Sequence, residues 1–198
     1  KEAPIANSVL CTVEENTPDD SFICIVDSTN TQQDVALNFN ITDGDPLGAF
    51  KINSCSGIVF VNSSKRLNYE LGPTTYNLTI AITGGLTSLL SQVVTVTDVN
   101  ESPAVANTPK YVVENTLADK NVEPALAITD PDHGSIIRLY ILDGNVNSQF
   151  KVDGDDFPIS QDRFIITAKT VNYEARSSYD LLIRVKDQGG LTGHAAIK

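Results

Sequence analysis

The chain has no tryptophan and only three cysteines. The core of an immunoglobulin domain is built around a Cys-Trp-Cys arrangement, so this composition argues against a true immunoglobulin domain. Histidine is also scarce, because His133 and His194 are the only two. No nucleophile paired with a base, no phosphate-binding loop and no zinc-ligand spacing accompanies them. We therefore expect that the protein is not an enzyme.

A long hydrophobic run is missing as well. The longest candidate, residues 86–96, is interrupted by threonine, serine and glutamine, and it is shorter than the ~20 apolar residues of a spanning helix. No segment resembles a signal peptide. We expect no direct membrane insertion by this fragment, and we expect any targeting or anchoring segment to lie outside it.

Positive charge is the third scarcity, since 14 lysines and arginines stand against 25 aspartates and glutamates and the net charge is −11. An acidic surface repels nucleic acids and anionic lipids, so neither is an expected partner. The same charge favours the binding of divalent cations. It also serves simple solubility, so charge alone does not decide between these interpretations.

What the sequence does contain is an internal repeat with a period of about a hundred residues. Acidic motifs recur in the same order in both halves. The first set is Glu15-Asn16, Asp43-Gly44-Asp45 and Asn68-Tyr69-Glu70. The second set is Glu114-Asn115, Asp130-Pro131-Asp132 and Asn172-Tyr173-Glu174, followed by Asp187. We predict two domains, residues 1–98 and 99–198, and we expect the last strand of the second to be truncated.

Short runs rich in β-branched and aromatic residues, separated by Gly, Pro, Asn and Asp, predict strands throughout. In the first half they cover residues 9–13, 22–26, 36–41, 50–52, 58–61, 76–82 and 92–96. In the second half they cover residues 111–113, 125–128, 137–142, 150–152, 163–167 and 179–185. Apolar and polar residues alternate within several of these runs, as in strands that are buried on one face. The predicted fold class is all-β, with two tandem immunoglobulin-like β-sandwiches.

The cysteines Cys11, Cys24 and Cys55 all fall in the first half, and their pairing stays open. A Cys11–Cys24 bridge would follow if the two residues lay on adjacent paired strands. A Cys24–Cys55 bridge and the absence of any bridge are the alternatives, because an odd count settles nothing.

Three sequons, beginning at Asn40, Asn62 and Asn77, predict N-glycosylation and an extracellular location. A sheet face that carries glycans is shielded, so we expect a binding face to lie elsewhere. Asn100-Glu101-Ser102 also has the form of a sequon. We expect it to stay unmodified, because a glycan there would compete with metal ligation.

Hard oxygen ligands concentrated around the boundary predict a calcium site. The first domain would supply Glu15, Asn68 and Glu70, the linker Asp98, Asn100 and Glu101, and the second domain Asp130, Asp132 and Asp187. Without metal these carboxylates would repel one another and splay the two domains. With metal, the same charges would hold the junction rigid.

In these motifs the chain resembles two tandem extracellular cadherin repeats. The Glu-Asn motif of that family is matched by Glu15-Asn16 and Glu114-Asn115, and its Asp-X-Asp motif by Asp43/Asp45 and Asp130/Asp132. The Asp-X-Glu motif is approximated by Asn68-Tyr69-Glu70 and Asn172-Tyr173-Glu174, and the linker motif by Asp98-Val99-Asn100-Glu101-Ser102. The resemblance implies seven-stranded Greek-key sandwiches that bind Ca²⁺ at their junctions and form stiff rods.

Several departures from the family pattern bear on neighbouring junctions. Asparagine replaces aspartate at Asn68 and Asn172, and the late turn of the first half lacks the counterparts of Asp187 and Gln188. We therefore expect the junction upstream, to which Asp43 and Asp45 are assigned, to be calcium-poor or absent. Glu114, Asn172 and Glu174 are assigned to a neighbouring junction as well.

The resemblance implies a fragment of a cell-surface ectodomain that functions in calcium-dependent adhesion. Its expected partner is another cadherin ectodomain, in a homophilic or heterophilic contact. Strand exchange anchored by a tryptophan is unavailable to a chain without tryptophan. The alternative functions are a force-bearing spacer or a receptor for a different extracellular ligand.

Overall fold

A computed structural model describes residues 2–30, 35–152 and 154–198 of the chain. The chain divides into two compact units, unit 1 (Lys1–Val99) and unit 2 (Asn100–Lys198). Both units are built from β-strands, and the described residues form no helix beyond short 3-10 turns at Ser64–Arg66 and Val146–Ser148. The all-β prediction is confirmed. No helix of the described chain is both long and apolar enough to cross a membrane.

Unit 1 is a sandwich of a four-stranded and a three-stranded sheet. Its strands are β1 (Ile5–Asn7), β2 (Cys11–Glu14), β3 (Phe22–Ile25), β4 (Asp27–Thr29), β5 (Asn38–Asp43), β6 (Phe50–Ile52), β7 (Ile58–Val61), β8 (Thr75–Thr83) and β9 (Thr87–Thr97). The sheet orders are β2-β9-β8-β5 and β3-β7-β6, and β1 pairs with β4. β2 runs parallel to β9, whereas the other pairs are antiparallel.

Alternation along the strands explains the core of unit 1. In β8, Tyr76, Leu78, Ile80 and Ile82 are buried, and the residues between them face outward or are half-buried. These side chains pack against inward-facing residues of β7 and β9 in one hydrophobic cluster. The Phe50 and Tyr76 rings meet edge to face with their centroids 4.8 Å apart. Burial of apolar area between the two sheets is the main stabilising contribution.

Unit 2 repeats this plan with shorter strands. They are β10 (Ala104–Val105), β11 (Asn121–Val122), β12 (Ile128–Thr129), β13 (Ile136–Asp143), β14 (Phe150–Lys151), β15 (Phe157–Pro158), β16 (Ile165–Thr167), β17 (Leu181–Asp187) and β18 (Thr192–Ile197). The sheet orders are β15-β13-β17-β18 and β11-β16-β14, and β10 pairs with β12. β13, β17 and β18 thus occupy the places that β5, β8 and β9 occupy in unit 1.

Two predicted strands of unit 2 are wrong or reduced. Residues 111–113 form only an isolated bridge between Tyr111 and Glu123, and Tyr111 and Val113 are 75% and 79% exposed. The corresponding β2 owes its extended form to pairing with β9, a partner that no described strand provides for residues 111–113. The predicted strand at 125–128 survives only as β12.

A disulfide joins Cys11 to Cys24, and Cys55 is exposed and unbridged. The bridge was expected only if the two cysteines lay on adjacent paired strands, and that expectation is wrong. Cys11 lies in β2 and Cys24 in β3, and these strands belong to different sheets. The bridge therefore links the two layers of the sandwich. Cys55 lies in the turn between β6 and β7.

Replacing the disulfide by two serines, C11S/C24S, should lower the free energy of unfolding of unit 1 by about 2–4 kcal/mol, since the bridge restricts the unfolded chain. The control C55S should change it by less than about 0.5 kcal/mol, because an exposed turn residue contributes little packing. Urea denaturation measures both variants. A C55S variant as unstable as the double variant would contradict the pairing.

Candidate metal centre

At the end of unit 1 where the chain leaves β9, the carboxylate of Glu15 is almost completely buried, with 2% of the residue exposed. Its Oε1 accepts a hydrogen bond from the backbone N–H of Val99 at 3.0 Å, and its Oε2 accepts one from Tyr69 at 2.8 Å. Such hydrogen bonds to both carboxylate oxygens fix the position of the side chain. Glu15 is thereby fixed to the loop after β7 and to the residue after Asp98.

Glu70 lies between two other carboxylates of unit 1. Glu70 places a carboxylate oxygen within 4.8 Å of an oxygen of Glu15, and likewise of an oxygen of Asp98. Each pair of like charges ~4 Å apart costs about 1 kcal/mol even at the dielectric constant of water. This repulsion is removed when a divalent cation lies among the oxygens, and carboxylate oxygens are the ligands that calcium prefers.

The predicted ligand Asn68 has a structural role that the sequence did not reveal. Its Oδ1 accepts a hydrogen bond from the backbone N–H of Leu71 at 2.6 Å. In unit 2, Oδ1 of Asn172 accepts from Ala175 at 2.8 Å. The Asn-Tyr-Glu motif therefore builds the same side-chain-capped turn in both units, as Asn does in Asx turns. Ligation by Asn68 stays a prediction.

In unit 2, hydrogen bonds connect Glu101, Asp130 and Asp132. Oδ2 of Asp132 accepts from the backbone N–H of Glu101 at 2.8 Å, and the N–H of Asp132 donates to Oδ1 of Asp130 at 3.0 Å. Ser135 donates its hydroxyl to the Asp132 carbonyl oxygen at 2.8 Å. Ser135 is a supporting residue that the sequence analysis missed, because a single serine three residues after the motif has no distinctive pattern.

The second carboxylate oxygen of Asp130 tests whether this site fits a cation. Oδ2 of Asp130 is buried and has no hydrogen-bond partner among the described residues. Burial raises the pKa of Asp130 above its usual value, although the N–H of Asp132 acts in the opposite direction. A buried anionic oxygen without a donor is costly. A calcium ion is the kind of partner that this oxygen lacks, so the residues present fit the metal.

Asp187 and Asn100 form the other part of the acidic end of unit 2. Asp187 is 5% exposed, its Oδ1 accepts from the N–H of Leu191 at 2.8 Å, and its Oδ2 accepts from Nδ2 of Asn100 at 2.9 Å. A Cβ atom on Gly189 would lie 2.4 Å from Oδ1 of Asn100. Glycine is therefore required for Asn100 to lie against this turn, and the bond to Asp187 occupies the nitrogen that a glycan would need.

The predicted equivalence of Asp43/Asp45 with Asp130/Asp132 is wrong. Asp130 and Asp132 precede β13, whereas Asp43 ends β5, the strand that corresponds to β13. The partners of Asp43-Gly44-Asp45 in unit 2 are instead residues 143–145, since the N–H of Gly44 and of Gly144 donates to the preceding aspartate in both units.

The assignment of Asp43 and Asp45 to the junction that precedes unit 1 is also wrong. Asp43 pairs with Thr79, the middle residue of β8, and it lies at the end of β5 that is nearer to the start of β8, where β9 leads into Asp98. Both carboxylate oxygens of Asp45 accept backbone hydrogen bonds, from Ala49 at 2.8 Å and from Phe50 at 2.9 Å. The aspartates therefore cap the turn between β5 and β6.

The remaining acidic residues lie at the far end of unit 2. Glu114 and Glu174 are exposed, and a hydrogen bond with the Glu114 carboxyl lowers the pKa of Glu174. This pair takes the positions in unit 2 that Glu15 and Glu70 take in unit 1. Its assignment to a neighbouring metal site stays a prediction.

The sequon asparagines differ in their surroundings. Asn40 and Asn77 are exposed on β5 and β8. Asn62 is also exposed, but its Nδ2 donates to the Gly48 carbonyl oxygen at 2.9 Å. The nitrogen that would carry a glycan is therefore engaged at Asn62.

No protein-family model matches the chain. It is 31% identical over 160 residues to mouse Protocadherin Fat 2 and 29% identical over 170 residues to human Protocadherin Fat 1. These matches cover 76% and 82% of the chain but only 3% and 4% of the relatives. The chain thus spans a small part of the proteins it matches.

The fold has counterparts among solved structures. The structure of human Protocadherin-24 EC1-2 aligns with 100% of the chain at a TM-score of 0.74 and 18% identity, and the alignment covers 98% of that protein chain. At this identity the match shows the fold, a tandem pair of cadherin-type β-sandwiches. The relatives by sequence and the neighbour by structure are all cadherins, and the chain accordingly belongs to the cadherin superfamily, as an extracellular segment of a cell-surface protein.

Proposed function

We propose that units 1 and 2 are two cadherin repeats whose junction binds Ca²⁺ and functions in calcium-dependent cell adhesion. The observation that carries the proposal is the buried Oδ2 of Asp130, which lacks any hydrogen-bond donor among the described residues. The ligands would be Glu15, Glu70 and Asp98 of unit 1 and Asn100, Glu101, Asp130, Asp132 and Asp187 of unit 2.

Chain connectivity supports a metal site that takes ligands from both units. Asp98, which lies within 4.8 Å of Glu70, is separated from Asn100 by a single residue. Asn100 in turn is bonded to Asp187, and Glu101 to Asp132. Short covalent distance therefore limits how far these two groups of ligands can separate, and a metal that binds both would restrict the hinge between the repeats.

The charges of the ligands give calcium its mechanical role in this proposal. Seven of the eight ligands are carboxylates, and their repulsion favours separation of the two ends in the absence of metal. Two or three calcium ions would neutralise most of that charge and link the repeats into a rigid segment. A rigid ectodomain presents its surfaces to another cadherin ectodomain, which is the proposed partner.

Upstream of unit 1 we propose that calcium ligation is weaker. The turn between β8 and β9 spans only residues 84–86, whereas β17 ends at Asp187 and four residues, 188–191, separate it from β18. The segment of unit 1 that corresponds to Asp130-Pro131-Asp132 runs between β4 and β5, where residues 31–34 lie outside the described part of the chain.

Calorimetric titration of chelator-stripped protein should show saturable binding of two or three Ca²⁺ ions, with dissociation constants in the micromolar to low-millimolar range. The variant D130A/D132A should lose most of this binding, because it removes two proposed ligands. The control D162A/D180A removes the same charge from exposed positions and should bind normally. Absence of saturable binding by the unaltered chain would contradict the calcium site.

Bead aggregation tests the adhesive function separately. Beads coated with the chain should aggregate in millimolar calcium and disperse in EGTA, since adhesion is proposed to require the rigid junction. Beads coated with D130A/D132A should stay dispersed in both. Dispersed beads in calcium, combined with intact calcium binding, would overturn homophilic adhesion by this segment and favour the tether or receptor function.

A further inference from the structure

The outer face of the β13-β17-β18 sheet in unit 2 carries a cluster of cationic side chains. Arg138 is directly opposite Lys186, and Arg184 lies between Tyr140 and His194 across the three strands. Residues two apart along a strand share a face. The alternate residues of these strands point into the core of unit 2, so these five side chains form one outward surface, the basic face.

This arrangement is unfavourable within unit 2 alone. Like charges directly opposite each other on neighbouring strands are destabilising, and Arg138 with Lys186 is such a pair. The guanidinium of Arg184 is partly stabilised by the Tyr140 ring, 4.3 Å from the ring centroid, and Arg138 donates to Asp156 at 2.7 Å. Lys186 and His194 form no hydrogen bond or ion pair with the described residues, so the face retains positive charge.

The corresponding face of unit 1 has the opposite character. The outward residues of β5, β8 and β9 carry no lysine, arginine or histidine, and Asn40 and Asn77, which begin sequons, lie on that face. No sequon occurs in residues 103–198, and ten of the 14 lysines and arginines belong to residues 100–198. The β5-β8-β9 face of unit 1 therefore carries sequons and no basic residue, whereas the β13-β17-β18 face of unit 2 carries basic residues and no sequon.

We propose that the basic face of unit 2 binds a linear sulfated polysaccharide. The chain is extracellular, and sulfated polysaccharides are polyanions of that compartment. Arginine guanidinium groups bind tetrahedral oxyanions such as sulfate through paired N–H donors. Adjacent strands lie about 4.8 Å apart and alternate residues about 6.7 Å apart. The three permanent cations of the face, Arg138, Arg184 and Lys186, can at this spacing contact several sulfate groups of one chain.

A protein partner fits the face less well. Centres of protein–protein interfaces are depleted in lysine and acidic residues, whereas aromatic residues, methionine and arginine are enriched there. Here the aromatic ring of Tyr140 is covered by Arg184, and charge occupies the middle of the surface. The main protein competitor would be the acidic surface of a second copy, whose net charge is −11.

The test uses the whole 198-residue chain and a heparin octasaccharide, with surface plasmon resonance at a series of salt concentrations. The measurements are made in EGTA, so that calcium cannot bridge sulfate to carboxylate groups. The face variant R184Q/K186Q should bind at least about tenfold more weakly than the unaltered chain near 0.1 M NaCl. Its slope of log affinity against log salt should be smaller by about two, because two fewer counterions are released.

The matched control is K65Q/K120Q, which removes two exposed lysines away from the basic face and should keep its affinity within about twofold. Thermal unfolding of both variants shows whether either has lost its fold. The single variant K186Q leaves the Arg184–Tyr140 contact intact and should still lower the affinity for heparin. Chemically desulfated heparin should not bind. Equal losses in the face and control variants, or no binding by the unaltered chain, would overturn the proposal.

One further result would overturn the polysaccharide proposal and favour a second copy of the chain as the partner. If the unaltered chain self-associates in analytical ultracentrifugation, and R184Q/K186Q abolishes that association while heparin binding is unchanged, the face binds a second copy. Because all of these measurements are made without calcium, their outcome is independent of the proposed metal junction.

Discussion

Repulsion between carboxylates that the backbone holds in place is the constraint that underlies the proposed metal junction. Glu15 cannot move away from Glu70, because its two oxygens are bound by the N–H groups of Tyr69 and Val99. Asp132 is held in a similar way by Glu101, and Asp187 by Leu191. Charges fixed at these positions lower stability unless a cation compensates them, and this is the physical basis of the proposal that these residues bind calcium.

The β-sandwich provides this rigidity at low cost to its core. The ligands lie in loops at the ends of strands, while the alternating apolar residues of β8 and β17 form separate hydrophobic cores in the two units. The outer sheet faces are therefore free to differ. In unit 1 the β5-β8-β9 face carries sequons, and in unit 2 the equivalent face is cationic, so one architecture supports different surface chemistry in consecutive repeats.

The sequence predicted the features that depend on local pattern. Alternation identified β8 and β17, and the acidic motifs near residue 98 identified residues that hydrogen bonds now connect. The sequence-based prediction was wrong where two similar motifs occupy different places in the fold. Asp43-Gly44-Asp45 resembles Asp130-Pro131-Asp132, but the first motif begins at the end of its strand, β5, whereas the second precedes its strand, β13. β18 was missed because its strand form comes from pairing with β17, and three cysteines do not reveal which two sheets a disulfide joins.

Small-angle X-ray scattering of the chain in millimolar calcium and in EGTA tests whether calcium controls the junction between the two repeats. If calcium binds ligands from both repeats, its removal should make the scattering profile that of two units on a flexible hinge, and D130A/D132A should give that profile even with calcium present. Identical profiles of the unaltered chain in calcium and in EGTA would contradict a junction controlled by metal.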